Sequence, residues 1–315
     1  MPRTDGNINL DATNGYLACG MLTNVCVYIG GYAVAGPKHV PTLRAQWLGK
    51  QLRDLRESLD ITLRDAGKHI MRDASTISRI EAGLVPARLP DVLELLNLYN
   101  VDEPTLRTGL EQLSRDVWHK DWWDGYVSTI QVGVMDLAWL ESRAEKLRDF
   151  SPLVIHGLLQ TQAYAEAVMR AVDPDADSAD FQRWVAFRLR RQEALDRLHC
   201  EVILDEGMLL RVVGNTKVMH DQFEHLLQLS HRPNITIRVL PLSAGALASP
   251  EGAFTLFTMP APFPTVAHVP TEAGAIYVEM PKAVRFKAAY TRLERETLGV
   301  EDSRTFLKTR MEQLG

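Results

Sequence analysis

The chain has 315 residues, 46% hydrophobic and 24% charged, a balance that excludes disorder as its main state and makes two domains the default. Its formal net charge of −5 excludes coating of nucleic acid by bulk charge, so any basic face must be local. Cys19, Cys26 and Cys200 form no CxxC and stand near no histidine cluster of zinc spacing, which argues against a disulfide framework or structural zinc and fits a reducing cytoplasm.

Residues 1–42 read apart from the rest. From Tyr16 to Gly36 the chain carries no charge and is long enough to span a bilayer, yet Thr23, Asn24 and several glycines interrupt it. Asp5 and Asp11 cancel the positive start, Arg3, that a secretory signal needs. The segment is expected to be a disordered or loosely packed extension, or to reflect a start assigned too early, and a membrane role is set aside.

From Leu43 the apolar residues fall at helical spacing. Leu48, Leu52, Leu55 and Leu59 form one stripe, with Arg53, Asp54, Arg56 and Glu57 around the remainder, which predicts a first helix. In "ITLRDAGKHI", Thr62 is the expected N-cap of a second helix, with Leu63, Ala66, Gly67 and Ile70 inward. "DASTISRIEAG" predicts a third: Asp73 caps it, Ile77 and Ile80 face the core, and Gly83 supplies a left-handed stop. A turn with Pro86 and Pro90 leads to a fourth, with Val92, Leu95, Leu96 and Tyr99 inward, and "EPTLRTGLEQLSRDV" reads as a fifth.

Two short helices joined by a tight turn inside a helical cluster form the unit that lays its second helix in the DNA major groove. Such a helix must be slim near its start, which Ala74, Ser75 and Thr76 allow. It must also carry donors outward, which Ser78 and Arg79 do. Residues 48–99 resemble the lambda-repressor-like, or XRE-type, helix-turn-helix family, whose first-helix "LRxLRE", threonine at the start of helix two and "STISRIExG" in helix three are matched by "LRDLRE", Thr62 and "STISRIEAG". The resemblance implies base or phosphate contact for Ala74, Ser75, Thr76 and Arg79, and a structural ion pair between Arg56 and Glu81. Thr62, Arg64, Lys68, Arg72 and Ser78 complete the expected DNA-binding set. Met71 stands where the family usually has the turn glycine, and Gly67 where it usually has alanine. Between positions 44 and 88, nine basic residues face six acids. A module with so mild an excess should bind weakly as a single copy, and two copies about 34 Å apart are the usual remedy.

The helix-turn-helix domain is thus expected over 43–113 and a second domain over 114–315. In the second, "WHKDWWDGY" concentrates Trp118, Trp122 and Trp123 between charges, as a stacking platform, a ligand cage or packing at the domain junction. "SPLVIHGLLQTQAYAEAVMRA" and "FQRWVAFRLRRQEAL" read as helices, the latter basic through Arg183, Arg188, Arg190 and Arg191. "EVILDEGMLLRVVG" starts as a strand, and "NITIRVLPL", "GAFTLFTM" and "GAIYVEM" read as three more, with "KVMHDQFEHLLQLSHR" an amphipathic helix between them.

Chemistry is sparse there. Asp205 and Glu206 are strand neighbours that point to opposite faces, and His220 and His225 are five apart, off one helical face. Cys200 reads as a small buried residue. With no phosphate-cradling loop or nucleophile elbow, neither an enzyme nor a cofactor is expected. The segments "WW" at 122–123, "PLVIHGLLQTQAYAEAVMRA", "LDEGMLLRVVG" and "NITIRVLPLSAGA" resemble the C-terminal domain of unknown function found in a group of actinobacterial XRE-type regulators, which brings no catalytic residues with it.

The expected fold is multidomain, an all-α lambda-repressor-like helix-turn-helix domain followed by an α+β C-terminal domain. The expected function is that of a cytoplasmic, homodimeric transcriptional regulator of a double-stranded DNA operator. Its C-terminal domain would receive a small-molecule effector or a small acidic partner protein. The alternative is an antitoxin-like or sequestering interaction module for which DNA binding is only autoregulation.

Overall fold

The computed structural model describes residues 41–119, 121–126, 130, 132–249, 251–271 and 274–314. The uncharged run from Tyr16 to Gly36 lies outside them. Five helices come first: α1 (Leu43–Ser58), α2 (Leu63–His69), α3 (Ala74–Glu81), α4 (Leu89–Leu98) and α5 (Pro104–Trp118). The side chains of Thr42, Thr62, Asp73 and Glu103 start α1, α2, α3 and α5 by accepting hydrogen bonds from first-turn N–H groups. The first four helices end alike, on the left-handed residues Asp60, Met71, Gly83 and Asn100. There the chain folds back on its own last turn, Arg72 N donating to Gly67 O at 2.8 Å and Leu84 N to Arg79 O at 2.9 Å. Leu48, Leu52, Ile77, Val92, Leu95 and Leu96 meet at the centre with no more than 1% exposure, whereas Leu59, expected on the first stripe, is the C-cap of α1 and turns outward at 43% exposure. Helical spacing continues from Leu110 and Leu113 to Val117, which places the junction expected at residue 113 inside α5.

The remaining chain forms α6 (Val132–Arg143), β1 (Lys146–Ser151), α7 (Gln162–Val172), α8 (Ser178–Arg191), β2 (His199–Asp205), α9 (Glu206–Leu210), α10 (Thr216–Leu229), β3 (Ile235–Leu240), β4 (Phe254–Thr258), β5 (Val266–Thr271), β6 (Gly274–Val278), α11 (Val284–Glu296) and α12 (Val300–Glu312). The strands make one sheet in the order β3-β2-β1-β4-β5-β6. β3, β2 and β1 run parallel, and β4, β5 and β6 continue antiparallel. Phe150, Ile203, Phe254 and Leu256 cover one face against Tyr290 and Leu293 of α11. The other face joins a core that runs without a break into the helical head. At that junction Trp47 meets Trp139 edge-on at 5.5 Å and stacks on Phe263 at 5.8 Å. Leu43 N donates to Asp136 Oδ2 at 3.0 Å, and Lys50 pairs with Glu279 at 2.9 Å.

Three expectations need correction. The helix read from Ser151 begins only at Gln162, because Pro152 and Gly157 keep the chain irregular and Thr161 supplies the cap. Strands β1 and β5 were not anticipated. The basic helix is α8, but Arg191 is 7% exposed and turned inward onto Glu141, so it contributes nothing to a basic surface.

Candidate nucleic-acid interface

α2 and α3 are joined by the four residues 70–73, with Met71 at φ 55° and 92% exposed. The turn closes so tightly onto α2 that a Cβ on Gly67 would stand 2.7 Å from Arg72 O and 3.2 Å from the Asp73 backbone. The alanine expected at that position has no room. Gly83 is fixed twice over, by φ 71° and by the Gln46 Cα that its Cβ would meet at 2.9 Å. The result seats α3 against α1 and α2 through Ile77 and Ile80 and turns its other side out.

On that outer side Ser75, Ser78 and Arg79 are exposed, with Ala74 and Thr76 half-buried at the slim start. Asp73 Oδ1 accepts from Ser75 Oγ at 2.7 Å and Thr76 N at 2.6 Å, and these bonds hold its carboxyl down to about 2. Arg79 lies back along its own helix, donating from Nε to Ser75 O and from Nη2 to Ser75 Oγ, both at 3.3 Å. Thr62 Oγ1 accepts from Asp65 N at 3.1 Å, and Arg64 and Lys68 are exposed on α2. Arg72 leans toward Asp91, Nη2 to Oδ2 at 3.4 Å, and so is not gathered with the α3 donors.

Behind α3, Arg56 and Glu81 form a bidentate pair, Nε to Oε1 at 2.6 Å and Nη2 to Oε2 at 2.9 Å, with exposures of 7% and 5%. Arg56 Nη1 also donates to Ile61 O at 2.8 Å, and the Glu81 carboxylate raises the guanidinium's pKa further. The pair ties α1 to the last turn of α3. It stands behind the exposed face of α3, both side chains buried.

Residues 47–108 match a helix-turn-helix domain family, and residues 134–309 match a domain of unknown function, DUF5753. The second match spans more than half of the chain. The chain belongs to the DUF5753 family. No curated protein and no solved structure shows significant similarity to it. The helix-turn-helix match supports DNA binding by the head.

Within the DUF5753 domain, the residues that invite chemistry hold structure. Asp205 caps α9 by accepting from Gly207 N at 2.8 Å, and Glu206 accepts from Leu242 N at 2.8 Å. Asp221 pairs with Lys217, and among the described residues no group of three or more His, Cys, Asp or Glu could hold a metal. Cys200 is 1% exposed and burial pushes its thiol pKa far up. Trp123 is buried near the Arg44 guanidinium and Trp122 packs on Phe187 at 5.0 Å, as junction packing requires. Trp118 stands half exposed, donating to Ala87 O at 2.7 Å. No helix among the described residues is long and apolar enough to cross a membrane.

Sequence reading missed a polar cluster on the inner face of the sheet, around Asp149, His156, Arg188 and His268. Its one signal is Arg188, which continues the helical stripe of Phe181 and Val185 where a core residue belongs.

Proposed function

We propose that the chain is a sequence-specific DNA-binding transcriptional regulator whose α3 lies in the major groove. The observation that carries this reading is the division of α3 into a buried side, Ile77 and Ile80 locked by Arg56–Glu81, and an exposed side bearing Ser75, Ser78 and Arg79 over a slim first turn. Thr62, Arg64, Lys68 and Arg72 serve the phosphates, and Ala74 and Thr76 let the backbone approach. The head alone carries little positive excess, so two chains acting on half-sites about one helical turn apart supply the affinity. The DUF5753 domain transmits an effector or partner signal to the head. α6 is suited to this, since it packs Trp139 on Trp47 and accepts Leu43 N on Asp136 while its Glu141 holds Arg191.

Selection from random duplexes with the full chain, followed by titrations at several salt concentrations, tests the reading. Arg79→Ala should lose about 1 to 3 kcal/mol of discrimination between bases at one position. Lys68→Ala should weaken all sequences alike and lower the salt slope by about one. A folded Arg79→Ala protein with unchanged operator preference overturns the groove assignment.

A further inference from the structure

Asp149, Thr255, His268 and Tyr277 lie side by side across β1, β4, β5 and β6, each the register partner of the next. Register partners project to the same face, so four polar side chains form one row on the inner side of the sheet. Continued onto β2 and β3 the row turns apolar, with Val202 and Ile237. Thr255 Oγ1 donates to Asp149 Oδ1 at 2.7 Å, and His156 Nε2 stands 3.9 Å from the same oxygen. Above the row, Arg191 of α8 is bound twice by Glu141 of α6, at 2.6 and 2.8 Å.

Arg188, one turn before Arg191, has no such partner. Its single hydrogen bond among the described residues runs from Nη1 to the neutral Gln160 Oε1 at 2.9 Å, and its Nε, shut off from water, donates to nothing. The bare Cα of Gly157 faces it: a Cβ there would stand 3.7 Å from that Nε. Among the described residues Oδ2 of the fully buried Asp149 has no hydrogen bond of normal geometry, although Ser151 lies close enough to hold its pKa down together with Thr255, and His268 Nδ1 has no partner. Unpaired charge and unpaired hydrogen-bonding atoms are costly inside a protein, and three of them gathered in one cluster call for something that completes them.

We infer that this cluster is the effector site of the DUF5753 domain and takes a small organic monocarboxylate, its anionic group on Arg188 and its remaining polar atoms read by Asp149 and His268. A monoanion matches Arg188, which, unlike Arg191 beside it, pairs with no carboxylate among the described residues. The Glu141 carboxylate near Arg188 disfavours a phosphate dianion more than a monoanion. Tyr277 Oη donates to Gly133 O at 2.6 Å, so both Tyr277 and Glu141 connect the cluster to α6, the helix that holds α1 of the head. The inference rests on the signalling role proposed above but is tested apart from it.

The full chain is melted with monocarboxylates from acetate to benzoate against chloride and inorganic phosphate at matched ionic strength, as wild type, Arg188→Gln and Arg183→Gln, the last an exposed control on the same helix. A saturable rise in melting temperature with a monocarboxylate is expected, kept in Arg183→Gln and weakened about tenfold or more in Arg188→Gln. Without ligand, Arg188→Gln should melt no lower than wild type, since an uncompensated charge has been removed. Four results overturn the site: no saturable shift, an equal shift in Arg188→Gln, phosphate acting as well as any carboxylate, or an Arg188→Gln protein that melts far below wild type and marks Arg188 as a strut. Carboxylate binding that leaves operator affinity unmoved supports the site and overturns the signalling role.

Discussion

Two buried arginine–glutamate pairs sit in the two halves of the chain, and their surroundings differ. In the head, Arg56 and Glu81 spend their remaining capacity on Ile61 O, Glu57 and Arg53, and among the described residues the unpartnered polar atom beside them is a neutral hydroxyl, Tyr99 Oη. In the DUF5753 domain, Arg191 and Glu141 have the same forked geometry, but the unpartnered atoms nearby belong to a guanidinium, a carboxyl and an imidazole. A satisfied network fixes one arrangement and is what a reading head needs. A partly satisfied one sacrifices stability, which a fold retains where an outside molecule completes it.

The largest expected effect breaks the first pair. Glu81→Ala strands a buried guanidinium, and urea unfolding should show a loss of about 3 to 5 kcal/mol. DNA binding should fall only as far as the unfolded fraction rises. An unaltered unfolding curve with weakened DNA binding would move Glu81 from the frame to the interface and erase the contrast between the two halves.

The second effect comes from the other half and depends on pH. Burial raises Asp149 to about 7, although the Thr255 bond opposes this, and burial likewise raises Asp136 to about 7. Burial first, and then the Arg191 charge, lowers His156 to about 3 and His268 to about 4. Between about pH 4 and 7 each carboxyl holds a proton in the folded state that the unfolded chain has released. Each therefore subtracts about 1.4 kcal/mol per pH unit as pH rises. Each imidazole lacks a proton that the unfolded chain binds below about 6.5, and so subtracts as much per unit as pH falls. The two pairs offset one another in wild type. Asp149→Asn removes one carboxyl, so the variant's stability relative to wild type should drop by about 2 to 3 kcal/mol between pH 7 and pH 5. Parallel pH profiles would mean that Asp149 is already ionised in the folded chain and that the cluster is no costlier than the head.

The contrast also explains what the sequence made legible. The head follows the rules of period and cap: Leu48 and Leu52, the Thr62 and Asp73 caps and the Gly83 stop could all be read in order. The Arg56–Glu81 pair came with the family pattern rather than from spacing. Of the elements that line the polar cluster, β4, β6 and α8 could be read, but β1, β5 and α6 could not. β1 places Asp149 where a core side chain belongs, β5 carries His268 and Pro270, and α6 turns Asp136 and Glu141 inward, so each breaks the apolar period that identifies it. Arg188 and Arg191 could be read only as basic residues of a helix, because periodicity holds no record of the Glu141 opposite. α11 was missed for a different reason, its buried stripe of Ala289, Tyr290 and Leu293 being narrow within a charged helix.

The smallest effect lies in the turn of the head, where the chain breaks its own local rule. Met71 holds φ 55°, which costs a side-chain-bearing residue about 1 to 2 kcal/mol. At 92% exposure the side chain buries nothing that offsets this. Met71→Gly relieves that strain and adds unfolded-state freedom worth about 0.4 to 1 kcal/mol, so a net gain of about 0.5 to 1 kcal/mol in urea unfolding is expected. The fold-back bond from Arg72 N to Gly67 O needs no side chain at 71 and should persist. Because Met71 lies two residues before the Asp73 cap of α3, the same variant separates two reasons for a methionine there. Unchanged operator affinity in the more stable protein would leave the residue without a role in the head. Weakened affinity in a more stable protein would place its exposed thioether against the DNA, as an apolar contact that the head keeps at the expense of its own stability.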